Sequence, residues 1–176
     1  MGVASQLKMA PPGSSVVHRS GQWLASTPVG AQIFRPVQPA LDRLTLRLSG
    51  GRTTFTEGVA GLPTVYLDTT GARSGLPRVV PLIGVVVDDD VAVIGSNWGG
   101  TSHPAWVHNL DADPRATLTR HGRSADVLAA EATGEDAEQI WQVARQVYRG
   151  FRTYPARTGG RAIRVFRLAL AGPPPA

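Results

Sequence analysis

Residues 64–96 read TVYLDTTGARSGLPRVVPLIGVVVDDDVAVIGS. Three apolar, β-branched runs lie here with only short polar punctuation between them. Thr64 to Asp68 has the content and alternation of a strand. Arg78 to Val87 is nearly continuous Val, Ile and Leu, the pattern of a strand covered on both faces or rolled into a small barrel. Val91 to Ser96 is a third run, and Asp88-Asp89-Asp90 before it is a polar hairpin turn. Strands that follow one another without intervening helices argue against a doubly wound α/β fold.

The link between the first two runs carries chemistry of its own. Gly71 and Gly75 can take positive φ and let a backbone or a ligand come close. Thr69, Thr70 and Ser74 bring hydroxyls, and Arg73 and Arg78 stand five residues apart. Turn N–H groups and two guanidinium forks can seat a phosphate or a carboxylate. The plainer alternative is a β-turn whose arginines are only solvated.

Working outward toward the N-terminus, residues 1–20 are polar, small and proline-containing, and are expected to be a flexible segment. Thr27 and Pro28 read as an N-cap and first helical residue. Val29, Ile33, Phe34, Val37, Leu41, Leu44 and Leu48 then recur at helical spacing, interrupted by Pro36 and Pro39. This amphipathic helix either packs on the core or rests its basic flank, Arg35, Arg43 and Arg47, on a membrane surface.

Toward the C-terminus, Ser102 is the expected cap of a short helix over 103–110 that Pro114 stops. Arg115 to Arg120 and Ser124 to Ala132 read as strands joined across His121-Gly122-Arg123. Glu135 to Tyr148 is a helix with Ile140, Val143, Ala144 and Val147 on one face. Ala162 to Leu170 is a last strand, and residues 171–176 are a tail. The sum is an α+β fold: a small barrel of about six mostly antiparallel strands with flanking helices, one domain over residues 21–170.

Composition narrows the chemistry. The chain has 176 residues, 18 basic against 13 acidic, and a net charge of +5. Lys8 is the single lysine, so planar, bidentate anion recognition is available throughout. No basic run interleaved with aromatics suggests nucleic acid. The chain has no cysteine, which excludes disulfides, thiolate nucleophiles and Cys-held metals. His18, His103, His108 and His121 lack zinc-ligand spacing, so no metal is expected. There is no G-x-G-x-x-G after a strand, no P-loop and no G-x-S-x-G elbow. Redox chemistry would need a bound organic cofactor. No stretch reaches membrane-spanning length and no signal-peptide core opens the chain, so a cytoplasmic location is expected.

The order of the motifs adds a further signal. T-T-G-x-R-S-G-x-x-R-x-x-P-L spans 69–82, and a strand ends in Ser96 before Gly99-Gly100. H-P-x-W-x-x-N-L covers 103–110, with D-P at 113–114. Y-x-x-F-x-x-Y covers 148–154, ahead of a basic segment and the final strand. The ordered set resembles the deazaflavin-dependent nitroreductase family, the coenzyme F420-dependent quinone reductases of actinobacteria, over about residues 25–170. The resemblance implies a split β-barrel. It implies that Arg73, Ser74 and Arg78 hold the phosphate and acidic tail of F420, with Val79, Val80, Pro81 and Leu82 along the deazaflavin ring. Ile94, Gly95, Ser96, Asn97, Trp106, Asn109 and Phe151 complete the implied cofactor site. Ser96, Tyr148 and Tyr154 are the implied catalytic residues, bonding the acceptor oxygen or relaying a proton.

Ala72, Asn97, Trp98, Val107 and Phe151 depart from the family pattern. The implied activity is hydride transfer from reduced F420 to a quinone, a nitro compound or a similar conjugated acceptor. It is expected in the cytoplasm, with peripheral contact at the inner face of the membrane. The alternatives are an FMN-binding oxidoreductase of related barrel fold and a non-catalytic F420 carrier. Acceptor and oligomeric state stay open.

Overall fold

The structure is a computed structural model that describes residues 1–9, 41, 42, 44, 45, 48, 57 and 61–172. Seven strands form one antiparallel sheet: β1 (Thr64–Thr70), β2 (Pro77–Ile83), β3 (Val85–Val87), β4 (Asp90–Ile94), β5 (Arg115–Arg120), β6 (Arg123–Glu131) and β7 (Val165–Leu170). Their order is β2-β1-β5-β6-β7-β4-β3. β2 and β4 stand far apart in that order yet touch, so the sheet curls on itself into a split β-barrel. The curl follows from strands that bury alternate residues on the concave face. On β6 these are Ala125, Val127 and Ala129, and on β1 Val65 and Leu67. They meet Val93 of β4 and Leu168 of β7 in one cluster with Trp106 and Val107.

The turns match their residues. β5 and β6 are joined by His121 and Gly122, both at positive φ, as a two-residue hairpin of right twist requires. Asp88, also at positive φ, turns β3 into β4.

The expected single strand over 78–87 is two strands. The break is Gly84, where a Cβ would lie 2.9 Å from Met9 Cε and 3.0 Å from Val65 Cγ1. The count is therefore seven rather than about six. The short helix is α2 (Ala105–Ala112), with Pro104 rather than Ser102 at its N-cap. α3 (Gly134–Val147) lays Ile140, Ala144 and Val147 on a second core with β3, β4 and β7.

Residues 1–9 are not the loose segment that their composition suggested. α1 (Val3–Gln6) plugs the concave face, with Val3 and Leu7 fully buried and Met9 nearly so. Each such burial contributes about 1.5–3 kcal/mol. The Asp89 carboxylate fixes the plug, accepting from the backbone N–H of Gly2, from Ser5 N–H at 2.9 Å and from Ser5 Oγ at 2.7 Å. Residues 10–20 lie outside the described residues.

Most of the expected helix over 28–48 also lies outside them. Leu41, Asp42, Leu44, Thr45 and Leu48 are helical, and Thr45 Oγ1 donates to the Leu41 carbonyl at 2.8 Å. Leu44 and Leu48 are 54% and 80% exposed, so these two side chains do not pack on the core, one of the two readings open for the helix. Among the described residues no helix is long and apolar enough to cross a membrane, and no His/Asp/Glu group could hold a metal ion.

Candidate functional site

The link between β1 and β2 is a tight, hydrogen-bonded turn. Gly71 N–H donates to the Leu76 carbonyl at 2.9 Å, and Gly75 N–H to the Gly71 carbonyl at 2.8 Å. Gly75 needs its positive φ, and a Cβ on Gly71 would lie 2.7 Å from Ser74 Oγ. The turn aims Arg73 and Arg78 outward, both exposed and neither ion-paired among the described residues. Arg78 Nη2 donates to Ser74 Oγ at 3.3 Å, which also accepts from Leu76 N–H at 3.3 Å. β2 is an edge strand, so Val79, 60% exposed, and Leu76, 57% exposed, give these cations an apolar border.

Asn109 of α2 braces this turn from behind. Its Oδ1 accepts from Ala72 N–H at 3.0 Å, and its Nδ2 donates to Thr69 Oγ1 at 2.9 Å. Thr69 Oγ1 then donates to the Arg78 carbonyl at 3.3 Å. The chain Asn109–Thr69–Arg78 fixes both ends of the turn from one buried amide. Both polar groups of Asn109 are thus engaged inside the protein. Trp106, one turn earlier, is in the core, edge-on to Phe166 at 5.6 Å, rather than offering a flat face at the surface.

α2 is about 12 Å long, and its other end meets the loop after β4. A Cβ on Gly95 would lie 3.1 Å from Val107 Cγ2. Asn97, Trp98 and Gly99 take φ of 48°, 57° and 78° in succession. For Trp98 the left-handed conformation costs about 1–2 kcal/mol. Asn97 Nδ2 donates to the Ser102 carbonyl at 3.0 Å. Ser96 is buried, with its backbone N–H on the Ile94 carbonyl.

The far side of the loop meets the aromatic triplet. A Cβ on Gly99 would lie 3.5 Å from Tyr154 Cδ1. Tyr148, Phe151 and Tyr154 are all buried in the second core, edge to face with one another. The Tyr148 and Tyr154 hydroxyls bond at 3.0 Å. Burial pushes both phenols up, Tyr154 furthest, where the neighbouring Tyr148 adds to the effect. Both are neutral at physiological pH.

The segments that the sequence singled out thus form one continuous run: turn, α2, loop, aromatic cluster. Thr69, read from the sequence as one of the turn hydroxyls, is the relay under Arg78. Arg161 escaped the sequence reading: it is bonded to the loop at several points but carries no spacing signal, because its partners are mostly backbone carbonyls.

Comparison with known proteins places the chain. Residues 43–169 match the family model of the F420H(2)-dependent quinone reductases. An F420H(2)-dependent quinone reductase of Mycobacterium tuberculosis is 28% identical over 86 residues, 48% of this chain and 58% of that protein. The chain spans little more than half the length of the curated relatives it matches. The solved structure of an F420-H2 dependent reductase (FDR-A) is 34% identical, with a TM-score of 0.56, and covers 60% of this chain and 93% of its own. Another solved structure, described as a domain-swapped dimer, is 34% identical with a TM-score of 0.58, covering 72% of this chain and 94% of its own. The chain belongs to the F420H(2)-dependent quinone reductase family.

Proposed function

We propose that the protein reduces a quinone at the expense of reduced coenzyme F420, with the cofactor held between the β1–β2 turn and the loop after β4. One observation carries the reading: Arg73 and Arg78 stand exposed without a carboxylate partner among the described residues, beside the apolar edge of β2. That donor set suits a cofactor with a phosphate and carboxylates at one end and flat rings at the other. When bound, the reduced deazaflavin supplies a hydride.

The chain's own residues divide the remaining work. Arg73, Ser74 and Arg78 bind the anionic end by charge-assisted hydrogen bonds. Val79, Val80, Pro81 and Leu82 give the rings an apolar support and exclude water from one side. Ile94, Gly95, Ser96 and Asn97 border the rings from the loop. Asn109 acts through the turn it braces, and Trp106 and Phe151 act through packing. Ser96 and the Tyr148–Tyr154 pair, through its one uncommitted O–H, donate hydrogen bonds where negative charge grows on the acceptor oxygen. The two phenols share one hydrogen bond, so one O–H remains to be given.

Titration of the protein with F420 and with FMN, followed by menadione and a nitroimidazole added to the reduced F420 complex, tests this reading. Saturable F420 binding with menadione turnover is expected. FMN binding in place of F420 supports the related flavin barrel, and F420 binding without turnover on any acceptor supports a carrier; either result overturns the proposal.

A second reading concerns location. Leu44 and Leu48 lie one turn apart on helical backbone and are both exposed, which favours peripheral contact of this face with a membrane surface. Co-sedimentation with anionic vesicles, lost in Leu44→Asp/Leu48→Asp, is the expected result; equal sedimentation of both proteins contradicts it.

A further inference from the structure

Arg161 lies on the short segment before β7 and is half-buried. Its Nε donates to the Gly100 carbonyl at 3.1 Å. Its Nη2 donates to the Gly100 carbonyl at 2.9 Å and the Ser96 carbonyl at 3.0 Å. Its Nη1 donates to the Gly95 carbonyl at 3.1 Å and to His103 Nδ1 at 3.2 Å, with the Ala162 carbonyl at 3.3 Å. A guanidinium can only donate, so His103 Nδ1 accepts and its proton sits on Nε2. Burial first, then the charges of Arg161 and Arg164, hold the imidazole below its ordinary range. Among the described residues, Arg161 bonds carbonyls and a neutral ring and no carboxylate.

The segment it grips is the strained one. Ser96 and Gly100 flank the three successive residues at positive φ, Asn97, Trp98 and Gly99. A cation is spent on both flanks of a left-handed run that no tryptophan adopts by preference. Such strain persists only where the surroundings over-determine it.

We infer that Arg161 is a positioning residue: its guanidinium clamps the Gly95–Gly100 backbone in the one conformation that accepts the deazaflavin. The inference rests on the function proposed above. It requires fork geometry and not charge alone. Lysine presents three donors at a single point and cannot reach the Gly95, Ser96 and Gly100 carbonyls and His103 together.

Arg161→Lys and Arg161→Gln separate the possibilities. Amide hydrogen exchange in the full-length protein reads the clamp directly, because Gly99 N–H donates to the Ser96 carbonyl and Gly100 N–H to the Asn97 carbonyl. In Arg161→Lys both amides are expected to exchange about tenfold faster or more, with β6 and β7 core amides unchanged. F420 affinity should weaken about tenfold, because apparent affinity falls with the population of the competent loop and loss of the fork leaves about one molecule in ten competent, at which point protection of both amides is nearly gone. Arg161→Gln should lose at least as much. If it fails to fold, the Lys variant alone decides. Unchanged exchange at Gly99 and Gly100 in Arg161→Lys overturns the clamp. Near-complete loss of protection at both amides with unchanged F420 affinity overturns its link to the cofactor. Absence of F420 binding by the wild-type protein instead refutes the proposed function, and the exchange measurement still decides the clamp.

Discussion

Replacing Asn109 with leucine removes the brace while keeping the same branched heavy-atom skeleton. The wild-type amide makes two hydrogen bonds inside the protein, to Ala72 N–H at 3.0 Å and Thr69 Oγ1 at 2.9 Å. A neutral hydrogen bond contributes about 1 kcal/mol net, and more when a buried partner is left without one. Ala72 is exposed and recovers a water partner; Thr69 is buried and keeps only its 3.3 Å bond to the Arg78 carbonyl. The loss is therefore about 2 kcal/mol. For a chain of this length that is a fall of about 4–8 °C in Tm. The variant should also bind F420 more weakly, because the turn carrying Arg73 and Arg78 has lost its support. Calorimetry and deazaflavin fluorescence titration read the two effects. A Tm within about 1 °C of wild type would show that the amide bonds are not worth what their geometry implies.

Arg78→Ala is the converse case. Arg78 is exposed and its side chain touches only Ser74 Oγ in the bonds described, so Tm should not move. F420 affinity should fall about tenfold, the equivalent of one charge-assisted bond, and its salt dependence should weaken. A large Tm loss or unchanged affinity contradicts the assignment. Arg164→Met tests the acid side of stability. Arg164 bonds Asp111 through both Nη atoms, at 2.8 and 2.7 Å, and Glu131 at 2.8 and 2.6 Å. These bonds hold both carboxyls below their ordinary range. A depressed native pKa gives stability that is complete above the unfolded value, about 4, and is lost as pH falls through the native one. In urea melts between pH 7 and pH 3, about the range that brackets those carboxylates, wild type should fall on the acid side. Arg164→Met should start lower and fall less, so the curves converge; parallel curves refute the pairing.

The barrel was readable because its evidence is local. β-branched runs, polar turns and glycines at reversal points each speak within a few residues, and β1, β4, β5 and the His121-Gly122 hairpin lie where those signals put them. Apart from the helix cap, at Pro104 rather than Ser102, the failures are non-local. Gly84, where the continuous apolar run is split, sits where a side chain would meet Met9 of the N-terminal segment and Val65. Residues 1–9 look too small and polar to pack, yet Val3 and Leu7 find the open mouth of the curled sheet. At the site, the spacing of Trp106 and Asn109 was visible, but their partners were not. The amide reaches residues 37 and 40 positions away. Arg161 was invisible for a different reason: its partners are mainly carbonyl oxygens, which every residue type carries.

The central claim is that the β1–β2 turn and the loop after β4 hold one anionic, flat-ringed cofactor between them. Backbone amide shifts of the isotope-labelled protein, followed as F420 is added, test it most directly. The account predicts concerted shifts in residues 71–78 and 95–100, saturating together and abolished in Arg73→Ala/Arg78→Ala. Saturable binding that leaves both segments unmoved and shifts another face of the sheet would contradict it.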